Sequence, residues 1–128
     1  MRREVLLLMA VAALLLQTAT IHAHHPLDAY LSDKTQSIEG ELVQFRFQNP
    51  HSTLILEART QTGVQQRWTL EWAAGLRLTQ QGITPNTFRA GDFVIVTGHP
   101  GRNPEDHRLR VRTIARPKDG WKWAGGFE

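Results

Sequence analysis

The stretch Ile38-Glu39-Gly40-Glu41-Leu42-Val43-Gln44-Phe45-Arg46-Phe47-Gln48 decides the fold class. Val43, Phe45 and Phe47 fall on one side of an extended chain and Gln44, Arg46 and Gln48 on the other. A period of two marks a strand with one face buried, because successive strand side chains point to opposite faces. Asn49-Pro50 then breaks the pattern, since proline has no N–H for a ladder.

Outward from this strand the alternation returns. Ser52 to Ala58 places Leu54, Leu56 and Ala58 on one face, and Thr62-Gly63 makes a turn. Arg67 to Trp72 reads as a third strand, with Trp68, Leu70 and Trp72 on its core side and Thr69 and Glu71 opposite. Ala73 to Gln81 is then helix-forming, with Leu76 and Leu78 as its apolar contacts and Gly82 as its stop. Beyond the turn Ala90-Gly91-Asp92, Phe93 to Gly98 is a fourth strand. Pro100 to Asp106 has the composition of a loop. Arg108 to Arg116 is a fifth strand. It is expected to put Leu109, Val111, Thr113 and Ala115 on one face and Arg108, Arg110, Arg112 and Arg116 on the other, with Ile114 among the arginines. Three strands, a short helix and two strands predict an all-β domain with one short helix: a small five-stranded OB-like barrel. A closed sheet also removes the exposed edges that an open one leaves.

Residues 1 to 23 read as a cleaved signal peptide. Arg2-Arg3 is followed by the apolar run Val5 to Leu16, and Ala23 is a small residue suited to the cut. The run is short of the roughly 20 residues a spanning helix needs, so no membrane anchor is expected after cleavage. Residues 24 to 37 form an N-terminal arm, 38 to 117 the barrel and 118 to 128 a C-terminal tail. The chain of 128 residues carries a formal net charge of +3, too mild to argue for nucleic acid, and no nucleic-acid partner is expected. There is no cysteine, which excludes disulfides, thiolate metal sites and a cysteine nucleophile. The address these features imply is the bacterial periplasm.

Four histidines are candidate metal ligands: His24, His25, His51 and His99. Cleavage after Ala23 makes His24 the first residue, so its free amine and the imidazoles of His24 and His25 could chelate Cu(II) or Zn(II). The amine titrates near about 7.7–8.0 and imidazole near about 6.5, so a metal displaces their protons at neutral pH. Nitrogen donors without thiolates suit these ions. The competing reading is structural: a solvated arm, with Asn49 bonding its own backbone, His51 capping the turn after the first strand, and His99 closing the fourth.

Two other groups could hold a partner. Arg108, Arg110 and Arg112 alternate along the fifth strand, and Trp121 and Trp123 flank Lys122 in the tail. An anionic glycan or a protein partner would suit them. The plainer expectations are a solvated charged face and a tail folded back over the barrel's open end. Trp68 and Trp72 are expected in the core. No nucleophile elbow, phosphate loop or dinucleotide fingerprint is present, and Glu71 lies on the face away from its aromatic neighbours, where a strand carboxylate is ordinarily solvated. No catalytic residues and no enzyme activity are expected.

These residues resemble a bacterial family of small exported proteins known as domain of unknown function 6152. The resemblance rests on Ala23-His24-His25, Asn49-Pro50-His51, Trp68 to Glu71, Gly82, Gly91-Asp92 with Val94, Val96 and Gly98, and Asp119-Gly120. The chain departs from the family where Pro26 follows the two histidines in place of Ser, and where Phe47 stands in place of Trp before Asn49. The resemblance implies export and one small domain, and it implies no substrate. The function expected is a non-enzymatic periplasmic binding protein that takes Cu(II) or Zn(II) through histidines. The alternative is an interaction module for an anionic glycan or protein.

Overall fold

The computed structural model describes residues 29–60 and 62–125. Residues 1 to 23, expected to be a signal peptide, and the His24–His25 pair lie outside the described residues. The elements named among the described residues are, in order, β1 (Gln36–Arg46), β2 (Thr53–Arg59), β3 (Gln65–Glu71), α1 (Gly75–Gln80), β4 (Phe93–Pro100), the 3-10 turn Pro104–Asp106, β5 (Arg108–Arg116) and β6 (Trp121–Ala124). Strand neighbours run β3-β2-β1-β4-β5-β6, and β3 also pairs with β5. That last pairing is parallel, with Thr69 opposite Arg108, Leu70 opposite Leu109 and Glu71 opposite Arg110; the other pairings are antiparallel. Strands β1 to β5 therefore close into a mixed OB-like barrel, as the alternation of the sequence predicts.

The long β1 serves two neighbours. Its first half pairs with β4 and its second half with β2, and Gly40 belongs to both ladders. A Cβ on Gly40 would stand 2.2 Å from the carbonyl oxygen of Glu57, so only glycine lets β2 approach where β1 bends across the barrel.

Two bulges alter the faces expected from simple alternation. In β1, Leu42 pairs with Leu56 and Gln44 with Ile55, which leaves Val43 as the extra residue. Leu42 is buried instead, and Val43 is 38% exposed. Beyond the bulge, Phe45 and Phe47 pack against the core. In β5, Val111 pairs with Gly98 and Thr113 with Thr97, so Arg112 is extra. The bulge reverses the faces beyond it, because one added residue shifts a period of two by half. Ile114 therefore enters the core at 1% exposure, whereas Thr113 is exposed, correcting the faces expected for both. The arginines do not form one continuous solvated row either: Arg110 is 8% exposed, Arg112 is exposed and Arg116 is held inward.

The core is built from Leu42, Leu54, Leu56, Leu70, Trp72, Val94, Val96, Leu109, Val111 and Ile114, with Leu78 of α1, Ile83 and Phe88. Leu78 is fully buried, but Leu76 is exposed and makes no core contribution, because a helix of 6 residues presents only one narrow face. Trp72 lies in an aromatic cluster with Phe45, Phe88 and Trp123, at centroid distances of 6.0, 6.1 and 5.0 Å. The tail folds back as β6, where Trp121 meets Phe88 edge-on at 5.0 Å and the Trp123 indole N–H donates to Gln81 Oε1.

Charge fixes the same tail. Asp92 is buried and accepts from the Lys118 ammonium, from the Arg116 guanidinium at 3.2 Å and from the backbone N–H of Arg89 at 3.0 Å. Arg116 also chelates Asp119 and lies over the rings of Phe88 and Trp121. Burial opposes ionisation of Asp92, but the bonds from Lys118 and Arg89 and the charges of Lys118 and Arg116 outweigh it. The carboxyl is held below its ordinary range. A carboxyl with a depressed folded pKa contributes stability that is present above its unfolded value, about 3.9, and lost as pH falls through the folded value. The melting temperature of the protein is therefore expected to fall steeply below about pH 4. Asp92→Asn is expected to be less stable at pH 7 and to show a shallower acid limb; an acid limb identical to wild type would remove Asp92 from this role.

Candidate functional site

The hairpin between β1 and β2 is pinned to the segment after β3. The Asn49-Pro50 peptide is cis, and the buried Ser52 hydroxyl bridges the N–H and C=O of Gln48. The backbones of Ser52 and Trp72 bond, as do those of Ser52 and Ala73. The side chain of Asn49 accepts from the N–H of Leu76 in the first turn of α1, rather than from its own loop as the sequence suggests. With both flanks held, His51 is set beside the end of β3.

There it meets Glu71. His51 Nδ1 lies 3.7 Å from Glu71 Oε1, and this nitrogen is buried without a hydrogen-bond partner among the described residues. Glu71 Oε2 accepts from the Tyr30 hydroxyl at 2.7 Å and from the Arg108 guanidinium at 3.2 Å. Arg108 also sits over the Tyr30 ring, 5.5 Å from its centroid. Glu71 alternates with the buried Leu70 and so lies on the outer face of the barrel, yet its side chain is only 13% exposed. The arm covers it. Tyr30 bridges Gly101, and backbone bonds join Leu31 to Pro100 and Arg102 to Ala29. Tyr30 itself is 3% exposed. Burial, then the hydrogen bond to Glu71 and its charge, push the phenol well above its ordinary value, so it stays protonated as donor.

The histidines do not all converge. His99 pairs with Arg110, which in turn pairs with Glu71, so β5 stands between His99 and Glu71. The His99 ring is engaged elsewhere, its Nδ1 2.7 Å from the carbonyl oxygen of Lys34. His107 follows the 3-10 turn with φ 46° and packs edge-on against Trp68 at 5.2 Å. His24 and His25 lie outside the described residues, and among the described residues no three His, Asp or Glu side chains gather as a metal cluster. Of the residues considered for partner binding, Arg108 is committed to Glu71, Arg110 is buried, Arg112 is exposed, and Trp121 and Trp123 are packed on the core.

Reading the sequence passes over Tyr30, and it weighs Glu71 only to set it aside as a solvated carboxylate. A carboxylate on the polar side of a strand reads as solvated, and nothing local announces that an arm will cover it. The available signals were that Tyr30 is the single tyrosine of the chain and that Glu71 ends a strand flanked by tryptophans.

No curated protein matches the chain. Residues 11–110 match the family of unknown function DUF6152, and the chain belongs to that family.

Proposed function

We propose that this is an exported, non-enzymatic binding protein of the periplasm, and that His51 and Glu71 form the fixed half of a site for Cu(II) or Zn(II). The arm supplies the other half through His24, His25 and, after cleavage at Ala23, the new terminal amine. The observation that carries this reading is the buried, unpartnered Nδ1 of His51 facing a carboxylate oxygen at 3.7 Å. Two ligands each about 2.1 Å from one tetrahedral ion stand about 3.4 Å apart, so a small movement accommodates a metal between them.

The arm's anchorage supports the same reading. Tyr30 is bonded to the other oxygen of Glu71, and His25 precedes it by only five positions. Five extended residues span at most about 17 Å, a length that would let His25 reach His51 in this reading. Glu71 would then act as orienting group and ligand together, held by Tyr30 and Arg108 in the way that outer partners orient metal ligands elsewhere.

Calorimetric titration of protein beginning at His24, its mass confirmed, is expected to show one-to-one binding of Cu(II) or Zn(II) tighter than about 1 µM. His51→Ala and Glu71→Gln are each expected to weaken it at least about tenfold, roughly 1.4 kcal/mol. An extra residue ahead of His24 is expected to weaken it through the lost amine. Affinity unchanged in both His51→Ala and Glu71→Gln would overturn the site.

A further inference from the structure

Two grooves meet at Gln36 and Trp68, beside the start of β1. One, of about 400 Å³, runs past Lys34, Gln36 and Arg108; the other, of about 320 Å³, runs past Ser37 and Arg59. Both are lined by Trp68, which stands between them. The sequence places Trp68 in the core. The structure gives it a half-buried position, packed against the core on one side and bordering both grooves on the other.

We infer that this cleft binds an acidic oligosaccharide, with Trp68 as the platform for a sugar ring and Lys34 and Arg59 as cations for its carboxylates. The inference is independent of the metal site. An indole offers an apolar face to the C–H surface of a pyranose, while amide and hydroxyl groups such as those of Gln36 and Ser37 suit its hydroxyls. Lys34 and Arg59 are exposed, and neither side chain has an acidic partner among the described residues. The platform is also held in place. His107 adopts the left-handed conformation, uncommon for a residue with a Cβ, and its ring stands edge-on to Trp68 at an interplanar angle of 84°. Fixing the ring before binding reduces the ordering cost of association.

A nucleic acid fits less well. Single-stranded binders stack successive bases on several aromatics along a positive groove. Here Trp68 is the one large aromatic that lines the two grooves, which suits a single sugar ring and not a run of stacked bases.

The test is titration of the purified protein, with a chelator present, against three probes: tetragalacturonate, the neutral cellotetraose and octathymidylate. Tetragalacturonate is expected to bind in the micromolar range at low salt and at least tenfold more tightly than either other probe. Trp68→Ala is expected to abolish binding. Because that variant also loses packing, Lys34→Glu and Arg59→Glu are the parallel check: each is on the surface and is expected to weaken binding at least fivefold with an unchanged melting temperature. No binding of tetragalacturonate, equal binding of cellotetraose, tighter binding of octathymidylate, or affinity unchanged in both charge variants would each overturn the inference. Since the chelator removes metal from every arm, failure here leaves the His51 site untouched, and failure of metal binding leaves this cleft untouched.

Discussion

Gly98→Ala is expected to destabilise the protein by about 3 kcal/mol or more, a large part of the roughly 5–15 kcal/mol that separates a typical domain from its unfolded state. Gly98 pairs with Val111 at the β5 bulge, and a Cβ there would stand 1.9 Å from the carbonyl oxygen of Arg110 and 2.7 Å from its carbonyl carbon. Backbone on both sides cannot swing away as a flexible side chain can. The bulge would have to open, and with it the register that carries Ile114 into the core and Arg116 to Asp92. Gly101→Ala is the control, because a Cβ there meets nothing nearer than 3.4 Å. Urea unfolding is expected to show a much lower midpoint for Gly98→Ala and a change within about 1 kcal/mol for Gly101→Ala. Equal shifts in the two would mean that close approach at the bulge is not what requires glycine.

The second large effect is at Trp72. The side chain is fully buried among three aromatic rings, and Trp72→Ala is expected to cost about 3–5 kcal/mol through lost contacts and the cavity left behind. Trp72→Phe separates packing from polarity. The indole Nε1 is buried without a hydrogen-bond partner among the described residues, and leaving such a donor unsatisfied costs about 1–3 kcal/mol. Phenylalanine removes that donor together with part of the volume, so the two terms oppose each other and the net change is expected to stay below about 1.5 kcal/mol. A Phe variant as unstable as the Ala variant would show that the indole nitrogen is satisfied in solution.

The barrel was legible because its determinants are local and repeated. Leu54, Leu56 and Ala58 fall at every second position of β2, Leu70 stands between Thr69 and Glu71, and the helix stop at Gly82 comes where a left-handed residue is required, at φ 78°. The bulges were not legible. Val43 and Arg112 are ordinary strand residues, and each is displaced by what the partner strand does at a position far away in sequence. The site divided in the same way. Asn49-Pro50-His51 stands out as an interruption in a strand, whereas Glu71 acquires its neighbours only in three dimensions: Tyr30 lies 41 positions before it and Arg108 37 after it. A group whose environment is assembled from three remote segments leaves little trace in its own neighbourhood.

The parallel seam between β3 and β5 has a kinetic consequence. Every antiparallel pairing of the barrel can form without it, as an open sheet; only when Thr69, Leu70 and Glu71 meet Arg108, Leu109 and Arg110 does the cylinder close. Contacts between segments so distant in sequence carry a large loop-closure cost and tend to form late and slowly. Arg108 approaches Glu71 across this seam, and the arm that brings Tyr30 is seated on the loop leading into β5. An ion that needs a fully oriented Glu71 would therefore be held by the closed chain and not by its open precursor, and binding would pull the last step of folding to completion by mass action.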